Sequence, residues 1–204
     1  MKVFIIKENH YLNKDIVGFY RSDYVGYQKE GNPDFINKLK NMTRVNGELD
    51  LIEEFVTVAK ILTEDLGKLT NIPNYAGSAI CAVPRSKADC SYHKSQLLFK
   101  KALASVADSL NCENCTDAIK RVSDTKTTHN WRLKNNKGSA PYKGITKDTC
   151  KINSKAFKEK NVILVDDIYT DGVHVVDDCI QTLLDLGAKN VLLYVVAKTL
   201  NKSA

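Results

Sequence analysis

The stretch Val162-Ile163-Leu164-Val165-Asp166-Asp167-Ile168-Tyr169-Thr170-Asp171-Gly172-Val173-His174 constrains the fold more than any other part of this chain. Four consecutive apolar residues read as a strand covered on both faces, which is the habit of parallel sheets. Two carboxylates end that strand, a short glycine-bearing loop follows, and residues 173–186 then show an amphipathic helical pattern stopped by Gly187. In a parallel α/β sheet, ligands bind outside the carboxyl ends of the strands. A loop that opens a helix there offers backbone N–H groups and the positive end of a helix dipole, which suits a phosphate. Asp166 and Asp167 beside it can accept from sugar hydroxyls or hold Mg²⁺, directly or through water. Carboxylates for a ribose next to an amide cradle for its phosphate describe a ribose-phosphate site.

The rest of the chain supplies matching elements. Residues 78–83 are a continuous apolar run, a second buried strand that ends in Pro84-Arg85-Ser86-Lys87. Residues 91–110 read as a helix, 118–122 and 150–153 as short strands, and 191–197 as the strand that closes the sheet. Strands that alternate with helices predict α/β architecture with a doubly wound parallel sheet. Upstream, Asp50 and Glu53 resemble a capping box, and Ile52, Phe55, Val56, Ala59, Leu62 and Leu66 form one apolar helical face ending at Gly67. Residues 3–6 look like a strand and 34–41 like a short helix. Residues 16–28, rich in tyrosine around Arg21-Ser22-Asp23, read as an ordered loop that packs on the domain or stacks a base. Residues 124–149 have no apolar periodicity and read as one long loop, either functional or disordered.

Charge narrows the partners. The 204 residues carry 30 Lys and Arg against 24 Asp and Glu, a net charge of +6. Much of the excess lies in 120–160, where Lys120, Arg121, Lys126, Arg132, Lys134, Lys137, Lys143, Lys147, Lys151, Lys155, Lys158 and Lys160 face only Asp124, Asp148 and Glu159. Such a belt either attracts nucleotide phosphates, a nucleic-acid backbone or a protein partner, or is simply a solvated basic loop. No run of about 18 apolar residues and no signal-peptide pattern is present, so a cytoplasmic protein without membrane association is expected, with homo-oligomers permitted.

Six cysteines raise the question of a metal. Cys90-x-x-His93 and Cys112-x-x-Cys115 have zinc-like spacing. A helix between the pairs would rise about 1.5 Å per residue and hold them roughly 25 Å apart, too far to share one ion. Cys81 and Cys179 sit among apolar residues and are expected as core thiols, in keeping with a reducing compartment.

The 162–174 segment resembles the ribose-phosphate signature of type I phosphoribosyltransferases: an apolar strand, two acidic residues, two mostly apolar residues, then Thr-Thr-Gly-x-Thr or a close variant. The likeness is to small members similar to late-competence and amidophosphoribosyltransferase-like proteins, and it spans roughly residues 79–199. It implies a hood or extension in residues 1–75 and a phosphoribosyltransferase-like domain in 76–204. It also implies a glycosyltransferase of nucleotide metabolism that binds phosphoribosyl pyrophosphate with Mg²⁺ and passes the ribosyl group to a nitrogen acceptor. By this resemblance Asp166 and Asp167 hold the ribose hydroxyls and the metal. Thr170, Asp171, Gly172, Val173 and His174 surround the 5′-phosphate, while Pro84, Arg85, Ser86 and Lys87 meet the pyrophosphate. Lys126, His129 and Arg132 reach in from the long loop.

Two residues depart from the signature. Asp171 stands where the second loop Thr belongs, and His174 where the closing Thr or Ser belongs. A carboxylate about 4 Å from a phosphate would cost several kcal/mol at intermediate dielectric. Either His174 compensates with a ring N–H, or Asp171 turns outward and leaves the amides facing in. Two other functions stay open. One is cleavage or transfer from a nucleoside or nucleotide on the same fold. The other is a catalytically silent sensor or effector that binds nucleic acid or a protein.

Overall fold

The computed structural model describes residues 1–41, 48–127 and 136–200. The chain forms β1 (Lys2–Ile6), β2 (Ile16–Tyr24), α1 (Asp34–Asn41), α2 (Glu48–Thr70) and β3 (Ala79–Ala82). Two short 3-10 turns lead to α3 (Leu98–Ser109), β4 (Glu113–Asn114), β5 (Ile119–Arg121), α4 (Ile145–Thr149) and β6 (Cys150–Ile152). The last elements are β7 (Asn161–Tyr169), α5 (Val175–Asp185) and β8 (Asn190–Thr199). Six strands make one sheet in the order β1-β2-β8-β7-β3-β4, parallel except for β1. This is a mixed α/β fold whose mostly parallel sheet is flanked by helices on both faces.

The continuous apolar runs explain the layers, because a strand buried on both faces has no polar period. On one face Val162 and Leu164 of β7 pack with Val176, Cys179, Ile180 and Leu183 of α5. On the other face Ile163 and Val165 meet Leu62 and Leu66 of α2 and Leu103 and Val106 of α3. Cys81 and Cys179 lie fully buried in the first of these cores, as their neighbours implied, and burial pushes both thiols well above the ordinary range.

Several expectations are corrected. Residues 16–24 are not a loop but β2, which pairs antiparallel with β1 and parallel with β8. Residues 1–75 therefore supply two strands of the main sheet as well as α1 and α2. The buried stripe of α2 is Leu51, Val58, Leu62, Leu66 and Leu69, while Ile52 and Val56 are exposed. Gly67 does not stop the helix, which runs on to Thr70. The helix expected from 91 starts only at Leu98, after the two 3-10 turns. Residues 119–121 do not join the main sheet: β5 pairs antiparallel with β6 in a separate two-stranded ribbon. The expected loop at 124–149 contains α4.

Topology opens a crevice in a defined place. From β3 the chain crosses through α3 to β4 on one side, and from β7 it crosses through α5 to β8 on the other. Connections that diverge in this way leave a gap at the carboxyl ends of the two central strands. The register shows it directly: β7 pairs with β3 only as far as Ala82↔Val165, but with β8 as far as Tyr169↔Lys198.

Candidate functional site at the sheet switch point

The strand expected to end at Val165 continues through Asp166 and Asp167 to Tyr169. The two carboxylates thus sit inside the strand, where β3 has already turned away. Asp166 Oδ1 accepts from the Asp167 N–H at 2.8 Å, and Asp167 Oδ1 accepts from the Ile168 N–H at 2.7 Å. Each carboxylate is thereby held against the backbone of the next residue. Asp167 is buried and Asp166 half-buried. Successive strand residues point to opposite faces, yet both line one cavity of about 590 Å³ because it wraps the uncovered edge of β7. That volume lies in the range of small-molecule sites.

Of the residues picked out from the sequence, Pro84, Arg85, Ser86, Lys87, Lys126, Asp166, Asp167, Thr170, Val173 and His174 all line this cavity. Asp171 and Gly172 do not. Asp171 turns outward and pairs with Lys198 at 2.8 Å. Gly172 adopts φ 80° and His174 φ 58°, so the chain reverses sharply before α5. Val173 N–H donates to the Thr170 carbonyl at 3.3 Å, while the amides of Asp171, Gly172 and His174 donate to no group among the described residues. His174 Nδ1 is 2.9 Å from Asp177 Oδ2, and its ring stacks on Tyr11 with centroids 4.6 Å apart. Asn9 Nδ2 donates to the same Asp177 oxygen at 3.0 Å, so β1 and its following loop brace the turn.

The loop after β3 is equally well tied down. Arg85 Nη1 donates to the Gln96 carbonyl at 2.5 Å, and its guanidinium lies 3.9 Å from the Tyr92 ring centroid. Ser86 Oγ meets Tyr92 Oη at 3.2 Å and Thr127 Oγ1 at 2.9 Å. Lys87 Nζ donates to the Lys137 carbonyl at 2.6 Å and lies 3.4 Å from Asp124. Thr127 exchanges two 2.8 Å hydrogen bonds with the Asn136 side chain, which joins the two ends of the described part of the long loop. Lys126 stands on this neck. His129 and Arg132 lie outside the described residues.

Two cations were not singled out as site residues from the sequence. Arg121 is buried, and its Nε donates to the Arg85 carbonyl at 2.9 Å while Nη2 donates to the Pro84 carbonyl at 3.4 Å. Nη1 also donates to Thr149 Oγ1. Thr149 belongs to α4, whose start is capped by Asp178 of α5, which accepts from Gly144 N–H and from Thr146 N–H at 2.8 Å. A continuous polar chain thus links the first turn of α5 to the loop after β3. Arg121 shares a strand face with buried Ile119, a period-two signal that a charge count alone conceals. Lys100 was hidden differently: it sits in an amphipathic helix, and its partners Asp89 (2.8 Å) and Asp117 (2.6 Å) come from separate loops. Burial pushes its ammonium down, but the two carboxylates more than offset this and hold it above the ordinary value.

The wall therefore carries five Lys or Arg residues (85, 87, 100, 121, 126) against three carboxylates (89, 166, 167). That balance favours an anionic ligand. No cluster of three or more His, Cys, Asp or Glu side chains suited to a metal occurs among the described residues. Two carboxylates alone suit Mg²⁺ that arrives with phosphate oxygens and keeps its waters, and do not suit a protein-only cage. All six cysteines are free thiols, and only Cys90 is exposed. No described helix is long and apolar enough to cross a membrane. No family model matches the chain, and no characterised protein matches it in sequence.

Proposed function

We propose that the cleft binds a ribose phosphate of the phosphoribosyl pyrophosphate class, together with Mg²⁺, and that the chain is a phosphoribosyltransferase-like enzyme. One observation carries this reading. The switch-point cavity gathers Asp166, Asp167 and a cationic wall, and it is bordered at Thr170, Val173 and His174 by a turn in which the amides of Asp171, Gly172 and His174 are unengaged. Asp166 and Asp167 would accept from the ribose hydroxyls and Mg²⁺, since a carboxylate accepts from several donors at once. The turn from Thr170 to His174 would take the 5′-phosphate through backbone N–H groups. Arg85, Lys87 and Lys126 would hold the pyrophosphate. In the transfer, the bond from C1′ to the pyrophosphate oxygen breaks with its electrons on the leaving group, and a nitrogen acceptor bonds to C1′ and loses a proton to solvent. Stabilisation of the departing charge by fixed cations supplies the main rate term.

Isothermal titration with phosphoribosyl pyrophosphate and Mg²⁺ tests the reading. Wild type should bind, and Asp167→Asn should lose the Mg²⁺-dependent part of the affinity. Unchanged Mg²⁺-dependent affinity in that variant would sink it. The nucleoside-directed alternative drew on repulsion of a 5′-phosphate by Asp171, and the pairing of that carboxylate with Lys198 weakens its motive. The nucleic-acid or protein-binding alternative drew on the basic run at 120–160. Two of its members, Arg121 and Lys126, line the cavity instead.

A further inference from the structure

His174 lines the cavity, yet the ribosyl transfer described above makes no use of its side chain. Its backbone sits at φ 58°, a left-handed conformation that is uncommon outside glycine and persists where the surroundings enforce it. Three neighbours fix the ring. Asp177 Oδ2 lies 2.9 Å from Nδ1, Asn9 Nδ2 donates to the same oxygen at 3.0 Å, and Tyr11 stacks on the ring with an interplanar angle of 8°. The Asp177 side chain is 3% exposed, whereas that of His174 is 34% exposed. A carboxylate accepts and cannot donate, so Nδ1 carries the ring hydrogen and Nε2 holds the lone pair. Nε2 has no hydrogen-bond partner among the described residues. A histidine nucleophile needs this order: an attacking atom left open, a second group that orients it, and a third that orients the second.

We propose that His174 is a phosphoryl acceptor, whose Nε2 takes the terminal phosphoryl group of a Mg²⁺-bound nucleoside triphosphate to form a phosphohistidine. The cavity of about 590 Å³ has room for a nucleotide, and its cations suit a polyphosphate chain. Asp166 and Asp167 suit Mg²⁺ that arrives on phosphate oxygens. In the transfer, the Nε2 lone pair bonds to the terminal phosphorus, and the bridging P–O bond breaks with its electrons on the departing nucleoside diphosphate. Mg²⁺ with Arg85, Lys87 and Lys126 offsets the charge that develops there. Nε2 bears no hydrogen, so no base is needed. The product is a phosphorylated imidazolium whose positive charge faces the buried Asp177 carboxylate. Asp177 is thus a positioning residue, and the unengaged amides of the turn border the transferred group. The inference rests on the cleft being the Mg²⁺-phosphate site proposed above, but not on the ligand carrying a phosphoribosyl group.

Incubation of the folded chain with MgATP and, separately, with MgGTP, followed by intact mass, tests it. Wild type should gain the mass of one phosphoryl group with at least one of them. The group should be lost in mild acid and kept in alkali, as a phosphorus–nitrogen bond requires, and fragmentation should place it on His174. His174→Asn should take up none while staying folded by circular dichroism, because asparagine tolerates a positive φ and its side-chain amide can donate to Asp177. Asp177→Asn should slow labelling at saturating nucleotide by about tenfold to a hundredfold, the value of one charge-assisted hydrogen bond, without weakening nucleotide binding in titration. No gain in mass with either nucleotide, a phosphoryl group on another residue, labelling that survives His174→Asn, or an unchanged rate in Asp177→Asn would each overturn the inference. Phosphoribosyl pyrophosphate with Mg²⁺ is titrated in parallel. If it does not bind while His174 is labelled, the ribose-phosphate reading fails and this one stands; if it binds and no label appears, the reverse holds.

Discussion

Asp65 is fully buried on α2 and joins three elements of the fold, so its removal yields a sharp test of how the N-terminal strands are held. Its Oδ2 accepts from Arg21 Nε on β2 and from Tyr194 Oη on β8, both at 2.8 Å, and its Oδ1 accepts from Arg21 Nη2 at 2.8 Å. Asp65→Ala strands a guanidinium and a buried phenol together. Breaking a buried ion pair from one side costs about 3–5 kcal/mol. Arg21 retains Glu64 at 2.7 Å and its side chain is 30% exposed, which places the expected loss near the lower end, about 3 kcal/mol. For a domain of this size that lowers the melting temperature by roughly 6–12 °C. Urea unfolding followed by circular dichroism measures it. Replacing the whole group, with Arg21→Met, Asp65→Leu and Tyr194→Phe combined, should recover most of the loss, since no charge or hydroxyl is left stranded. A change under about 1 kcal/mol for Asp65→Ala, or a combined variant less stable than the single one, would refute this reasoning. The pH dependence follows the same group. Burial pushes the Asp65 carboxyl up, but the hydrogen bonds from Arg21 and Tyr194 more than offset this, and it lies below its ordinary 3.8. A depressed carboxyl stabilises the fold above its unfolded value and loses that contribution as pH falls through the folded value. The stability gap between wild type and Asp65→Asn should therefore be constant near neutrality and close below 3.8.

Three further outcomes are expected. Arg121→Met should lower stability by about 1–3 kcal/mol, because the Pro84 and Arg85 carbonyls lose a charged donor, and should weaken anion binding in the cavity measured by titration. Asp171→Thr should change phosphoribosyl pyrophosphate affinity less than about twofold and stability by no more than about 1 kcal/mol, since the outward pair with Lys198 is partly exposed; a tenfold gain in affinity would show that the carboxylate does repel the ligand. Brief alkylation of the folded chain should modify Cys90 alone, read by intact mass, with the other five thiols reacting only after unfolding.

The elements legible in the sequence were those whose signal is local. A four-residue apolar run cannot be satisfied except by cover on both faces, so β3, β7 and β8 could be placed, and a glycine at position 187 marked the end of the pattern that became α5. The turn after β7 was readable for the same reason, because strand, paired carboxylates and helix start lie within thirteen contiguous residues. Segments that depend on distant partners were misread. The tyrosine-rich residues 16–24 have no clear alternation, and they become a strand only because β8 offers an unpaired edge. Ile52 and Val56 looked like core, but the neighbours of α2 select Leu51, Val58 and Leu69 on the adjacent stripe.

The chemistry divides along the same line. The types of group at the candidate site, carboxylate pair, amide turn and cations, are properties of the chain itself. Which way each one faces is a property of the assembled sheet. Asp171 points away because Lys198, 27 positions on, waits at the end of the neighbouring strand. Arg121 is buried because the carbonyls of Pro84 and Arg85 need donors where β3 leaves the sheet. Asn37 meets Tyr24 only when α1 is laid beside the end of β2. Hydrogen bonds reach about 3 Å, so residues remote in sequence can decide one another's roles only after the fold has brought them together.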